Sequence, residues 1–226
     1  MGKRKINYAS CSDIAKKLLR IGVSQGVDRA FTTFIELFAT FLAADADPVN
    51  GDERKKRYQE INDSLSDEIR KEYLELVDIV KQTFAENADD PVDILGVVFH
   101  ELNLHNARHG QFFTPNDVAR LMAMLVNPTG ESENGISSLN EPTCGSGTMV
   151  IAAAWAMKNS GVNYSEKLLV VAQDIDIRCV WMSYIQLSLY KIPAVIIHGN
   201  SLTDEVWGKW YTANYSDVAG GVLCGN

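Results

Sequence analysis

Between Asp28 and Ala44 the apolar residues Phe31, Phe34, Ile35, Phe38, Phe41 and Leu42 recur at three- and four-residue spacings. That period predicts a helix with one face in a core. A second helix is predicted from Ser66, with Asp67 and Glu68 in its first turn and Ile69, Tyr73, Leu76, Val77, Val80 and Phe84 on its inner face. Pro91 separates it from a short amphipathic segment, Val92 to Leu104, which ends in the polar run His105-Asn106-Ala107-Arg108-His109-Gly110. Past Gly110 the pattern alternates. Thr114 as N-cap, Pro115 at the first helical position and Asp117 two residues on predict a helix whose apolar face is Val118, Leu121, Met122 and Leu125. Strands are then expected at 136–140, 167–172 and 193–197, with helices at 148–159 and 176–190 between them. Strands alternating with helices imply a parallel sheet covered by helices, with a boundary to the helical first half near residue 110.

Composition narrows the class. The 226 residues are 46% hydrophobic and 22% charged, which excludes disorder and a small disulfide scaffold. A net charge of −8 argues against a surface that is basic all over. No apolar run approaches the roughly 20 residues that span a bilayer, and the basic N-terminus is followed by no secretory pattern, so the expected location is cytoplasmic. Cys11, Cys144, Cys179 and Cys224 lie far apart and are expected as free thiols. The basic runs Arg54-Lys55-Lys56-Arg57 and Lys16-Lys17 with Arg20 read as solvated helix faces. His100-Glu101 is followed by His105, one residue too late for the zinc protease pattern, and no metal is expected.

Candidate chemistry lies where strands end. In Asn140-Glu141-Pro142-Thr143-Cys144-Gly145-Ser146-Gly147-Thr148-Met149 a strand passes through a small-residue loop into a helix, a geometry that offers backbone N–H groups to an anion. No lysine follows Gly147, which excludes a Walker A loop, and Val150 stands where a dinucleotide fingerprint needs a small residue. The loop therefore suits a smaller anionic group such as a carboxylate. The second strand ends in Gln173-Asp174-Ile175-Asp176, where one acid caps the next helix and the other is placed to accept from ribose hydroxyls. Asn200 ends the third strand over the same crevice, where it can bond an adenine edge.

Taken together, these residues resemble the adenine-N6 DNA methylases, most closely the modification (M) subunits of type I restriction systems and their short mobile-element relatives. The resemblance covers roughly residues 92–202. Gly110-Gln111-Phe112-Phe113-Thr114-Pro115 is similar to the family's N-terminal cofactor motif, Glu141 to Gly147 to its Asp/Glu-Pro-x-Cys-Gly-Ser-Gly loop, and Gln173 to Asp176 to its ribose-binding strand end. What it implies is a Rossmann-like α/β S-adenosylmethionine-dependent methyltransferase fold. Residues 1–110 would be a helical domain, and 111–226 a methyltransferase-like cofactor-binding domain lacking the C-terminal part of the fold. The cofactor would be S-adenosylmethionine. By the resemblance Phe113, Thr114 and Pro115 line its pocket, and Glu141 and the Gly145-Ser146-Gly147 loop, with Pro142 and Thr143 in the same motif, hold the methionine end. Asp174 takes the ribose and Ile175 packs on adenine.

The sequence departs from the family in two places. Asn200 stands where the family often has Asp, and the catalytic Asp/Asn-Pro-Pro-Tyr/Phe motif has no match among the 226 residues. Asp217 to Asn226 reads as a degenerate fourth strand, and Trp207, Trp210, Tyr211 and Tyr215 as packing aromatics. Residues 111–226 carry six Lys and Arg against ten acids, so DNA contact is expected through a specificity or other partner subunit. Two readings stay open. One is an adenine-N6 DNA methyltransferase module that acts with a partner or further segment; the other is a methylase-like protein that binds the cofactor without transferring methyl, as a regulator or competitor.

Overall fold

The computed structural model describes residues 8–104, 113–126 and 135–223. Five helices come first: α1 (Tyr8–Gln25), α2 (Val27–Ala46), α3 (Gly51–Ser64), α4 (Asp67–Glu86) and α5 (Ile94–Glu101). As the periodicity predicts, α2 buries Phe31, Phe34, Ile35 and Phe38. Phe41 is half exposed instead, with the Tyr58 ring of α3 at 5.6 Å between centroids. Ser66 caps α4 by accepting from the Ile69 N–H, and Tyr73 of that helix stacks on Phe34 and donates its hydroxyl to the Ala30 carbonyl.

Two cations expected in solvent are built into the structure. Lys17 is buried, with its ammonium 2.7 Å from Glu72 and 2.6 Å from Glu75 of α4. A lysine in the seam between two helices keeps its charge only with such partners. Arg54 lays its guanidinium 3.8 Å from the centroid of the Trp210 ring and donates to the Lys209 carbonyl. Its planar group stacks and bonds at once, which a solvated cation would not do.

The second half alternates as expected: α6 (Asn116–Val126), β1 (Ser137–Glu141), α7 (Thr148–Asn159), α8 (Tyr164–Lys167), β2 (Leu168–Asp174), α9 (Ile177–Leu189) and β3 (Ala194–Asn200). Strand order is β1-β2-β3-β4, the first three parallel. The expected third strand is followed by one the pattern did not announce, β4 (Glu205–Tyr211), antiparallel to β3. Asp217 to Leu223, expected as part of a degenerate fourth strand, instead belong to the helix α10 (Tyr215–Leu223). Strand-like apolar spacing there is short and glycine-rich, and the helix packs against β2. Trp210, Tyr211 and Trp207 sit on β4, with Trp210 buried and Trp207 half exposed.

Alpha helices α7 and α9 lie on one face of the sheet, as right-handed crossovers in one direction require. Against the outer side of α9 pack α2 and α5, so one continuous apolar cluster runs from Cys11 to Trp210. The face of α6 expected in the core, Val118, Leu121, Met122 and Leu125, is exposed; only Ala119 and Ala123 are buried, against Ala152 and Ala156 of α7. Among the described residues no helix is long and apolar enough to cross a membrane.

Replacing Lys17 with alanine strands two carboxylates in a half-buried seam. We expect a loss of about 1.5–3 kcal/mol in urea unfolding, with the slope unchanged, and a smaller loss for Glu75→Gln, whose side chain is more exposed.

Candidate cofactor site

At the carboxyl ends of the parallel strands a cavity of about 760 Å³ opens. It brings together eight of the twelve residues singled out in the sequence: Phe113 and Thr114 before α6, Pro142, Thr143 and Gly145 after β1, Asp174 and Ile175 after β2, and Asn200 after β3. Pro115, Glu141, Ser146 and Gly147 are not in its wall. Pro115 is exposed and accepts the first helical bond of α6, which starts one residue later than predicted. Glu141 lies at the end of β1, with its carboxylate 3.4 Å from the Thr143 nitrogen. Gly110, Gln111, Phe112, His105, His109 and Cys224 lie outside the described residues.

The loop after β1 holds its shape through its own backbone. Gly145 and Gly147 have φ of 54° and 96°, which side-chain-bearing residues seldom adopt. A Cβ at Gly145 would also sit 3.0 Å from the Phe113 ring. The loop's N–H groups, expected to be free for an anion, are partly spent: Cys144 donates to Gln173, Gly147 to Cys144, and Gly145 to Asp174. Gly147 opens α7 without a side-chain cap, so the first-turn dipole faces the cavity rim uncompensated by a capping group.

Asp174, half-buried at the end of β2, is one of two carboxylates in the wall. One oxygen accepts from Gly145 at 2.8 Å and the other from the Asp176 N–H at 2.9 Å, so it is anchored rather than free. Burial raises its pKa above the usual aspartate range, opposed by the N–H bonds from Asp176 and Gly145. Asp176 caps α9, accepting from Arg178 N–H at 2.9 Å, as one of the two acids was expected to do. Its second oxygen pairs with the Arg178 guanidinium, which also reaches Asp28 of α2. Ile175 and Leu202 stand exposed at the cavity mouth. Phe113, by contrast, is braced: its ring lies 5.3 Å from Phe99 and edge-on to His100 of α5.

The support for this wall is what the sequence pattern missed. Ser146 turns away from the cavity and is fully buried. Its hydroxyl and that of Thr148 both donate to one oxygen of Asp93, the residue that caps α5. Asp93's other oxygen accepts from the Gly96 N–H at 2.7 Å and from Gln186 of α9 at 2.8 Å. Gln186 donates to the Ser146 carbonyl as well and accepts from the Ile94 and Leu95 N–H groups. A Cβ at Gly96 would run into Asp93 and Ser146. An N-cap signal was present in the sequence, Asp93 three residues before Gly96 and just past Pro91, but nothing local says that the cap's second oxygen binds a loop fifty residues away. The wall also includes Cys144, Thr148 and Met149 of the loop-to-helix segment, and Cys179 and Ser201, which topology brings in. Among the described residues no group of three His, Cys, Asp or Glu side chains could hold a metal ion.

Phe113, the loop 142–145, Asp174 and Asn200 all fall within residues 92–218, the stretch matched by the N-6 DNA methylase family profile. The chain belongs to the N-6 DNA methylase family. No curated protein matches this sequence. Among solved structures it is similar to a protein described as a class I S-adenosylmethionine-dependent methyltransferase from Listeria monocytogenes, at 12% identity and a TM-score of 0.50. That match covers 88% of this chain and 55% of the other. It is also similar to a type I restriction-modification system methyltransferase subunit from Streptococcus thermophilus, at 15% identity and a TM-score of 0.41, over 89% and 59% of the two chains. This methylase-family chain thus spans little more than half the length of those two proteins. Its fold, shared with the Listeria protein, is Rossmann-like with a helical N-terminal region.

Asp93→Ala removes the acceptor for four donors at once. We expect a loss of about 3 kcal/mol or more in denaturant unfolding, with Gly96→Ala similarly severe, because an unsatisfied buried donor costs about 1–3 kcal/mol. A second expectation concerns the thiols. Burial, with the Asp93 and Glu101 charges, pushes Cys11 up to about 12, and burial raises Cys144 against the Ser183 hydrogen bond. Both stay protonated and enclosed at pH 8. Iodoacetamide should leave them unmodified in the folded protein and alkylate them in guanidinium, as read by peptide mass spectrometry.

Proposed function

We propose that this chain binds S-adenosylmethionine in the cavity at the strand ends and serves as the cofactor-binding module of a DNA methyltransferase that modifies adenine N6 in a restriction-modification type system. The observation that carries the reading is the convergence of the Gly145 loop, Asp174 and Asn200 on one cavity inside the family-matched stretch. Its chemistry fits the cofactor. A carboxylate with free lone pairs suits a ribose diol, Asn200 and the exposed Ile175 suit an adenine edge and face, and Thr114, Thr143 and the α7 N-terminus suit an amino-acid end. The volume is in the usual range for small-molecule sites.

When bound, the cofactor supplies a methyl group on a positively charged sulfur. The chain's part is to hold it. Asp174, fixed by two backbone N–H bonds, accepts from hydroxyls without reorganising. Phe113, braced by Phe99, closes the wall over Gly145 and excludes water. The Asp/Asn-Pro-Pro-aromatic pattern does not occur among the 226 residues, so a receptor for the target base is expected from a partner or a further segment. DNA would reach the site with such a partner, because the basic side chains of the second half are few. The module is expected in the cytoplasm.

Calorimetry with S-adenosylhomocysteine tests the reading. We expect saturable binding that Asp174→Ala weakens about tenfold to a hundredfold, the worth of one or two hydrogen bonds to a charged group. Because burial raises the Asp174 pKa, protonation removes its acceptor oxygens, and affinity should fall on acidification from a pH above the usual aspartate range. No heat at millimolar ligand on folded protein would overturn the proposal. Tritiated cofactor with genomic DNA then separates the two readings: the chain alone should leave adenine unlabelled, and label that appears once a partner is added marks the module over the inactive binder.

A further inference from the structure

A second cavity, of about 370 Å³, lies between the sheet and the helices over β3 and β4. It shares no lining residue with the cofactor cavity. The first turn of α9 divides the two: Ile177 and Trp181 line the second cavity, Arg178 and Cys179 the first. The sheet contributes His198, Trp207, Gly208 and Trp210, and the helices α2 and α3 contribute Glu36 and Arg54.

Three features of this wall are not accounted for by packing. Trp181 and Arg54 each bury an N–H donor, Nε1 and Nε, that has no acceptor among the described residues. Buried donors of this kind ordinarily find one, because a desolvated donor left unmet destabilises the fold. The second feature is Gly208. Its φ is not in the left-handed region, and a Cβ built on it would meet nothing within 4 Å, so neither backbone nor neighbour requires glycine there. It pairs with His198, and paired residues share a face of the sheet, so a side chain at 208 would enter the cavity. Glycine inside a strand, with open space above it, suits close approach by another molecule. The third is Trp207. The ladder between β3 and β4 bulges there, leaving Trp207 unpaired between Val206 and Gly208, and a bulge re-aims the side chain it carries. Its ring is 52% exposed and meets His198 edge-on at 4.9 Å, and among the described residues no ring stacks parallel to it.

We propose that this cavity is a nucleobase site, which takes one purine or pyrimidine ring over Gly208 and against Trp207. A flat ring fills a slot between aromatic walls and gains stacking there. Its carbonyl oxygen and ring nitrogens are acceptors for Trp181 and Arg54. Glu36 supplies the complement: one oxygen accepts from Arg57 at 2.8 Å, and the other has no donor among the described residues, so it is left for an amine or ring N–H of the base. Charge points to a neutral ring. Arg54 and Arg57 stand beside Glu53 and Glu36 in the same wall, a balance that favours neither a phosphate nor a cation inside. Sugar and phosphate therefore stay at the open rim, and the base can come from a free nucleotide or from an unpaired nucleotide of a strand, with the same ring chemistry. The volume lies at the low end of small-molecule sites, which suits one ring system.

The test reads the indole N–H signals of the four tryptophans in the full chain by 15N–1H NMR, with Trp181→Phe and Trp207→Ala assigning two of them. The probes are the deoxynucleoside 5′-monophosphates and a single-stranded oligonucleotide of about eight nucleotides. We expect a saturable shift of the Trp181 signal that persists in Asp174→Ala and in excess S-adenosylhomocysteine. Gly208→Val fills the slot with a residue suited to a strand, and should weaken binding about tenfold or more, as should Trp207→Ala; circular dichroism checks the fold of each. Tighter binding of the oligonucleotide than of the monophosphates assigns the site to a strand, and equal binding assigns it to a free nucleotide. The proposal fails if no probe moves the Trp181 signal at millimolar concentration, if folded Gly208→Val binds like the parent, or if S-adenosylhomocysteine or Asp174→Ala abolishes the shift, which would put the base in the cofactor cavity. Calorimetry with S-adenosylhomocysteine reports on that cavity alone, so the cofactor reading stands or falls separately.

Discussion

Everything at the strand ends depends on the carboxylate of Asp93. Four donors from three parts of the chain converge on its two oxygens: the α5 backbone, the hydroxyls of Ser146 and Thr148, and the amide of Gln186. A buried charge is tolerated only when its lone pairs are this fully used, and here that condition welds the loop after β1 to the helical first half. The glycine loop thus takes its position from α5 as much as from the sheet. Phe113 obeys the same constraint, because the ring that closes over Gly145 rests on Phe99 and His100 of α5. The helices before residue 104 are part of the mould in which the cavity is cast.

How much of this could be read in advance depended on the range of the interaction. Helices α2, α4, α7 and α9 and the strands β1 to β3 announce themselves because their apolar periods and caps are local, and Ser66 and Asp176 cap where the pattern puts them. The cavity residues were legible because each ends a strand or opens a helix in an ordered motif. What stayed hidden is settled by distant partners. Lys17 and Arg54 look like solvent cations until Glu75 and Trp210 are brought beside them. Ser146 looks like a ligand contact until Asp93 claims its hydroxyl. The apolar period of α6 was read correctly as a stripe, yet period alone does not say whether anything lies against it.

The β4 edge of the sheet is covered by α3. At β4 the Lys209 carbonyl, which points away from β3, is taken by Asn50 and Arg54 of α3, and the guanidinium that does so is also stacked on Trp210. An assembly unit with two open edges can polymerise without limit, each addition exposing a fresh template. With α3 laid against it, the β4 edge offers no such template. Arg54 and Asn50, remote from the cofactor cavity, in this way guard the β4 side of the sheet against edge-to-edge growth.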